Sequence, residues 1–560
     1  MSRPPVSRRA FVRGSLAAGA AGLASAALPG AAHAASHDDG SGAGPGSADA
    51  SARAATPPAA GELDELTIAE LSAGMAAGRW TAERLVALYT ERMDAIDAGG
   101  PTIRAVLERN PDALAVARTL DAERAAGKLR GPLHGSPVLI KGNIDTADRM
   151  QTTAGSWALH GRPAPRDAGL VEKLRAAGAV IIGKSNLSEW ANFRSSHSSS
   201  GWSGIGGQCR NPYALDRSPS GSSSGTGAGI AASLAAIGVG TETDGSITSP
   251  SSCNGLVGLK PTIGRISRAG IVPIAHSQDT AGPMCRTVTD AWLLYLAMCG
   301  ADPRDAVTQG RDARVADGTT PLDVRAIKGK RIGIARKGYT GYHPAVDALL
   351  EEAIRALKEL GAVIVDPADL ATAGSYGEAE FEVLLYEYKA DMAAYLASRG
   401  DTTPMKSMAD LIAFNERDRA REMALFGQEL MLQADKKGPL TEAAYRKARA
   451  HCVQQARTKG IDATMARHKL DALLAPTNGP AWLIDHVNGD APGGSSTQPA
   501  AVAGTPSLSV PGGQVAGLPV GMQFFGRAWS ERTLFEIGYA FEQATRHRKA
   551  PTFAAHASVE

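Results

Sequence analysis

Residues 216–262 read DRSPSGSSSGTGAGIAASLAAIGVGTETDGSITSPSSCNGLVGLKPT, and the rest of the chain is organised around this stretch. Pro219, Gly221 and Gly225 punctuate a loop. The small residues from Thr226 to Ala236 suit a short helix lying close on its neighbours. Ile237–Gly240 reads as a buried strand end. Thr241–Ser246 forms a second tight loop, in which Gly245 lets the backbone approach a ligand with no Cβ in the way. Glycine and serine in such numbers also occur in flexible linkers, but a linker would not run into an apolar strand and a second ordered turn. A phosphate loop needs a lysine beside its last glycine, and residues 221–229 contain none. A G-x-S-x-G string is centred on Ser223, yet a nucleophile elbow needs a strand directly before it, where Pro219 indicates loop. On pattern alone, a serine-hydrolase site and these alternatives stay open.

Working outward, 43% hydrophobic and 21% charged residues over 560 positions describe globular material with an ample core. A net charge of +2 implies neither a nucleic-acid nor a membrane-surface partner. Residues 1–34 carry a twin-arginine pattern (Ser7-Arg8-Arg9-Ala10-Phe11-Val12), a weakly apolar stretch from Leu16 to Leu28, and the small-x-small site Ala32-His33-Ala34. That apolar run falls short of the ~20 residues a membrane span needs, so the expectation is export to the periplasm or beyond, without stable membrane insertion. Residues 35–61 are poor in large apolar side chains and are expected to be a disordered linker. The folded domain is placed at 62–560.

Thr67-Ile-Ala-Glu70 predicts a capping box. Thr81 opens a second helix, with Leu85, Leu88, Tyr89, Met93 and Ile96 on one face, and Ala113–Ala126 forms a third. Pro137–Ile140 reads as a short buried strand with Lys141 at its end. A lysine there commonly snorkels to solvent; the alternative is a desolvated lysine able to act as a base. The residues alone do not choose between the two. Leu170–Ala177 (helix) and Ala179–Asn186 (strand and turn) bring βα alternation, which predicts a parallel or mixed α/β sheet. Ser195–Gly207, with His197 and Trp202, is a loop expected near the site entrance. Gly310–Leu322 is another loop. Residues 378–457 read as helical, broken at Pro404 and Gly438-Pro439. None of the five cysteines forms a C-x-x-C pair and no H-E-x-x-H occurs, so no zinc site of these types is predicted. One disulfide is compatible with export.

Several of these segments together resemble the amidase signature family. They are Asn211–Pro219, Ser220–Gly225, Gly240–Ile247, Gly255–Thr262, the Gly131–Asn143 segment and Ser277–Pro283. The likeness runs over roughly residues 62–548. It implies one α/β domain with a central mixed, twisted sheet flanked by helices on both faces, and no cofactor or metal. It also implies that Ser246 is the nucleophile, Ser222 the proton relay behind a cis Gly221–Ser222 peptide, and Lys141 the base. The N–H groups near Thr243, Asp244 and Gly245 would form the oxyanion hole, with Ser223 and Thr241 as supporting hydroxyls. Two departures stand out. Gly142 replaces the usual Asp after the lysine. Glu242, Asp244 and Thr248 replace parts of the usual Gly-Thr-Asp-x-Gly-Gly-Ser-Ile-Arg, so the acid–arginine pairing is expected to be rearranged.

Within the family the sequence is most similar to the bacterial peptide amidases. The resemblance therefore implies a secreted amidase releasing ammonia from C-terminal peptide amides; a monomer is expected, though no residue pattern carries that. Competing readings are an aryl-acylamidase or general amidase with the same residues, the catalytic subunit of a glutaminyl-tRNA amidotransferase, and a non-catalytic exported binding protein. The twin-arginine segment argues against the amidotransferase, and the presence of Lys141, Ser222 and Ser246 together argues against a binder. The pocket is expected from 195–207, the helical insert and 478–498, with Trp482, His486 and Tyr386 as candidate lining.

Overall fold

Among residues 61–309 and 321–558, which the computed structural model describes, the strands are Val106–Arg109 (β1), Pro137–Lys141 (β2), Val180–Ser185 (β3), Trp202–Ser203 (β4), Gly207–Gln208 (β5), Ile237–Glu242 (β6), Val257–Lys260 (β7), Thr280–Cys285 (β8), Arg331–Ile334 (β9), Val363–Val365 (β10), Ala472–Pro476 (β11), Ser507–Val515 (β12) and Leu518–Phe525 (β13). β4 and β5 pair only with each other. The other eleven form one sheet in the order β1-β3-β2-β6-β8-β7-β12-β13-β11-β9-β10. β3, β2 and β6 are mutually parallel, as are β11, β9 and β10, and the strands between them run antiparallel. The sheet is therefore mixed and flanked by helices, the class expected. Strands β2, β3, β6, β7, β8 and β11 are buried at every residue. Their near-continuous apolar runs are what a doubly covered sheet requires. The expected signal segment, the linker up to residue 60 and residues 310–320 of the expected loop lie outside the described residues.

Local chemistry accounts for the flanking elements. Thr67 and Glu70 form the capping box of helix Ile68–Ala76, and Thr81 caps Ala82–Arg92, which buries Leu85, Val86 and Tyr89. The helix expected at Thr226–Ala236 instead spans Ser224–Ala231, and Ser233 turns the chain at φ 54°. All eight helical residues are buried. A Cβ on Gly225 would collide with the Ala105 carbonyl and lie 2.6 Å from the Asn186 backbone. The glycine therefore lets this helix start directly against a neighbouring chain segment.

The helical insert is built from Gly377–Arg399, Met408–Arg417, Arg419–Glu422, Glu429–Asp435, Ala443–Cys452, a π-helical stretch Val453–Asp462 and Ala463–His468. Pro404 and Gly438-Pro439 fall between helices, as expected. The insert packs Leu385, Tyr388, Met392, Leu396, Leu411 and Met431 against Trp190 and Phe193 in a core separate from the one that includes the central strands. Among the described residues no helix is long and apolar enough to cross a membrane. All five cysteines are unpaired, so the disulfide that export allowed is not formed.

Candidate active site

Three loop segments converge at the ends of β2 and β6. Lys141 closes β2 and is fully buried, so its side chain does not snorkel. Its Nζ lies 2.8 Å from Ser222 Oγ, 2.9 Å from Thr241 Oγ1 and 3.2 Å from the Thr241 carbonyl. Burial pulls its pKa down to about 7, against the opposing charges of Asp279 and, less strongly, Glu242. A neutral amine has two N–H donors and one lone pair. With both donors on Thr241 oxygens, the lone pair is left for Ser222. Asn143 Nδ2, two residues after Lys141, also donates to Thr241 Oγ1 at 3.0 Å. Gly142 has a steric reason: a Cβ there would meet Leu107 Cδ2 at 3.0 Å and the Ser185 carbonyl at 3.1 Å. Thr241 rather than a neighbouring acid therefore holds Lys141.

The two serine segments are stitched together by the backbone. Ser223 Oγ donates to the Thr241 carbonyl (3.0 Å) and accepts the Thr241 N–H (3.2 Å), and Ser223 N–H donates to the Ser246 carbonyl (3.2 Å). The Gly221–Ser222 peptide is cis, and the Ser222 carbonyl accepts the Ser188 N–H at 3.0 Å. No strand precedes Ser223, so the nucleophile-elbow reading has no structural basis. Ser246 is 8% exposed, enough to be reached from the site. Among the described residues no hydrogen bond joins the Ser222 and Ser246 hydroxyls. The structure thus brings all three residues into one cluster but closes only the Lys141–Ser222 link.

The loop carrying Ser246 is shaped by Glu242, whose Oε2 accepts the N–H groups of Ile247 (2.8 Å) and Thr248 (2.9 Å) and the Thr248 hydroxyl (3.2 Å). An acid–hydroxyl pair has replaced the acid–arginine pair, which is the form the expected rearrangement takes. Gly245 sits at φ 79°, a conformation that favours glycine. Among the described residues the N–H groups of Thr243, Asp244 and Gly245 have no protein acceptor, so they remain available to an incoming oxygen. Asp244 Oδ1 accepts from Thr497 Oγ1 at 2.6 Å, and burial raises its carboxyl pKa to about 6.

Loop 195–207 adjoins this cluster, as expected. Ser188 Oγ accepts the N–H of Gly201, the residue directly before the small β4–β5 sheet, at 2.9 Å. Trp482 and His486 join the same wall: Trp482 Nε1 and the Ser200 N–H both donate to Asp490, and His486 Nε2 lies 3.0 Å from Gln208 Oε1. Tyr386 does not join it. Its hydroxyl bonds Glu442 at 2.6 Å and its ring packs on Tyr445, within the insert. Sequence reasoning missed Asn143, Thr497 and the Gln278–Asp279 pair described below, which are tied to the site through side chains distant in sequence.

Among the described residues one group has ligand atoms close enough for a metal, His276, Glu387 and Asp391, all within 4.8 Å. These atoms are already engaged. His276 Nδ1 faces Asp391 Oδ2 at 2.9 Å, and Glu387 accepts from Tyr445 Oη (2.7 Å) and Ser277 N–H (2.9 Å). The group forms a hydrogen-bonded network, in which the Asp391 bond, against burial, raises the His276 pKa.

The chain matches the Amidase family over residues 84–535. It is similar to a probable amidase of Arabidopsis thaliana, 40% identical over 503 residues, covering 88% of this chain and 92% of the relative. The solved structure of the native peptide amidase of Stenotrophomonas maltophilia is 49% identical, with a TM-score of 0.83, and covers 88% of this chain and 99% of its own. A peptide amidase in complex with the competitive inhibitor chymostatin superposes at a TM-score of 0.84 and 49% identity, over 87% of this chain and 99% of the other. By descent and by fold the chain belongs to the amidase signature family, and it is a hydrolase acting on amide C–N bonds.

Proposed function

We propose that the protein is an exported peptide amidase converting C-terminal carboxamides to free acids and ammonia through Ser246, Ser222 and Lys141. The observation that carries this reading is the fully buried Lys141 with its Nζ 2.8 Å from Ser222 Oγ, beside the loop that bears Ser246. Likeness to two peptide amidase structures at 49% identity supports the substrate class.

An amide carbonyl is a weak electrophile, so the nucleophile must be activated and the oxyanion stabilised. Ser246 Oγ attacks the carbonyl carbon while its proton passes to Ser222 Oγ, and the Ser222 proton passes to neutral Lys141. The oxygen of the tetrahedral intermediate takes the free N–H groups of Thr243, Asp244 and Gly245. Collapse breaks the C–N bond, and the proton returns from Lys141 through Ser222 to the nitrogen, releasing ammonia. Water then attacks the Ser246 ester along the same relay and yields the acid. A hydroxyl suits the middle position because it donates and accepts at once.

The test is ammonia or amine release by residues 35–560 from a panel of C-terminally amidated dipeptides, anilides and simple aliphatic amides. Preference for the peptide amides is expected. Preference for anilides would replace the substrate claim with the acylamidase reading, and turnover of none of them would remove it.

A further inference from the structure

Thr243 opens the loop that presents the free N–H groups, and two adjacent residues just before β8 hold it from below. Asp279 Oδ1 accepts the Thr243 hydroxyl at 2.6 Å, and Gln278 Nε2 donates to the Thr243 carbonyl at 3.3 Å. Both holders are themselves fixed. Asp279 Oδ2 accepts the N–H groups of Ile274 (2.8 Å) and Ala275 (3.0 Å). Gln278 Nε2 also donates to Glu380 Oε1 at 2.9 Å, and Gln498 Nε2 donates to Glu380 Oε2 at 2.7 Å. A residue of the insert helix Gly377–Arg399 is thus connected to the oxyanion loop by one side chain. Asp279 also lines a cavity of about 560 Å³ with Arg268, His276 and Asp391.

We propose that Asp279, with Gln278, is a positioning residue that clamps Thr243 and so fixes the N–H groups of residues 243–245 for the developing oxyanion. The inference rests on the serine–serine–lysine reading above. Preorganised donors stabilise a transition state because they need no reorientation when charge develops, and a threonine held at both its hydroxyl and its carbonyl has little freedom to turn. The same carboxylate is the larger of the two charges acting on Lys141, the other being Glu242. Burial raises the Asp279 carboxyl pKa to about 7; the bonds from Thr243, Ile274 and Ala275 oppose that rise, and Asp391 of the insert helix adds to it. Asp279 in turn acts on Arg268 of its own segment. Its charge therefore weighs on Lys141 most fully above about pH 7. Losing its negative charge would leave Lys141 easier to deprotonate.

Two isosteric variants separate the clamp from the charge. In Asp279→Asn the oxygen can keep the Ile274 and Ala275 N–H groups while the amide donates to Thr243 Oγ1. The clamp survives and the charge is lost. The acid limb of kcat/KM for a peptide amide is expected to move about one unit to lower pH, with plateau kcat within about tenfold. Thr243→Val removes the hydroxyl and leaves the charge. It is expected to lower kcat about 10–100-fold, short of the loss of a whole oxyanion donor, with KM within about threefold and the limb unmoved. Thr243→Ser, which keeps the hydroxyl, is expected to restore kcat and so to exclude a general folding defect. Wild-type kcat in Thr243→Val, or an unmoved limb in Asp279→Asn, overturns the clamp and its electrostatic corollary respectively. Turnover by Ser246→Ala in the same assay would instead overturn the serine–serine–lysine reading.

Discussion

The serine loops at 216–248 hold Lys141 directly through Ser222 and Thr241, whereas the helical insert at 377–468 reaches the site through Glu380 and Gln278, and the two are held by different means. In the serine loops the contacts are short and reach the backbone: Ser223 bridges both polar groups of Thr241, Ser223 N–H reaches the Ser246 carbonyl, and Gly225 lets the helix start against the backbone of Ala105 and Asn186. The insert is held by apolar packing, against Trp190 and Phe193 on one side and against Leu473, Ala475 and Phe525 of the sheet on another. Its Glu380, Glu422 and Glu429 accept hydrogen bonds from Gln278, Trp157 and Ser195. Backbone contacts through glycine tolerate almost no substitution. The carboxylates of the insert act at longer range: Glu380 reaches the Thr243 loop through Gln278.

Substitutions on the two sides should respond unequally. Lys141→Ala removes the proposed base and is expected to cost about 10²–10⁴-fold in kcat/KM. A loss below about tenfold in initial-rate assays would remove Lys141 from that role. Gly225→Ala drives a methyl into the Ala105 carbonyl and the Asn186 backbone and is expected to lower stability by about 1–3 kcal/mol, read as a lower denaturation midpoint. An unchanged midpoint would mean that the helix start can shift, and the contrast with the insert would weaken. The pH profile should show kcat/KM rising as pH passes through about 7, because burial lowers the Lys141 pKa and only its neutral form accepts the Ser222 proton. A profile flat from pH 6 to 8 would contradict that order of events. Smallest of all, Tyr386→Phe in the insert loses one hydrogen bond to Glu442. It is expected to cost no more than about 1 kcal/mol and to leave kcat unchanged; a large fall in kcat would bring Tyr386 back to the substrate pocket.

What could be read beforehand divides along the same line. β2 and β6 announce themselves as continuous apolar runs, and Lys141, Ser222 and Ser246 lie in segments whose glycines and prolines mark turns. The helix after Ser222 starts two residues before the expected Thr226 and ends five before the expected Ala236, since serine and glycine carry no helical periodicity and its start is fixed by packing against Ala105 and Asn186. The antiparallel β8 pairs with β6 and β7 across the sheet, and nothing local in Thr-Ala-Gly-Pro-Met-Cys foretells that. Gln278, Asp279 and Glu380 were not legible as site residues, because their link to Thr243 spans 35 residues in one step and 102 in the next. Tyr386 was misplaced for the converse reason. An aromatic in an expected access segment is equally suited to internal packing, and Glu442 and Tyr445 claim it.

Ser246 as the nucleophile is tested most directly by ammonia release from an amidated dipeptide, with wild-type protein and Ser246→Ala side by side at equal folded concentration. Steady release by the wild type and none above the buffer blank by Ser246→Ala is the predicted result. Ammonia release by Ser246→Ala at a rate near that of the wild type would contradict it, and the attacking group would have to be sought elsewhere in the site.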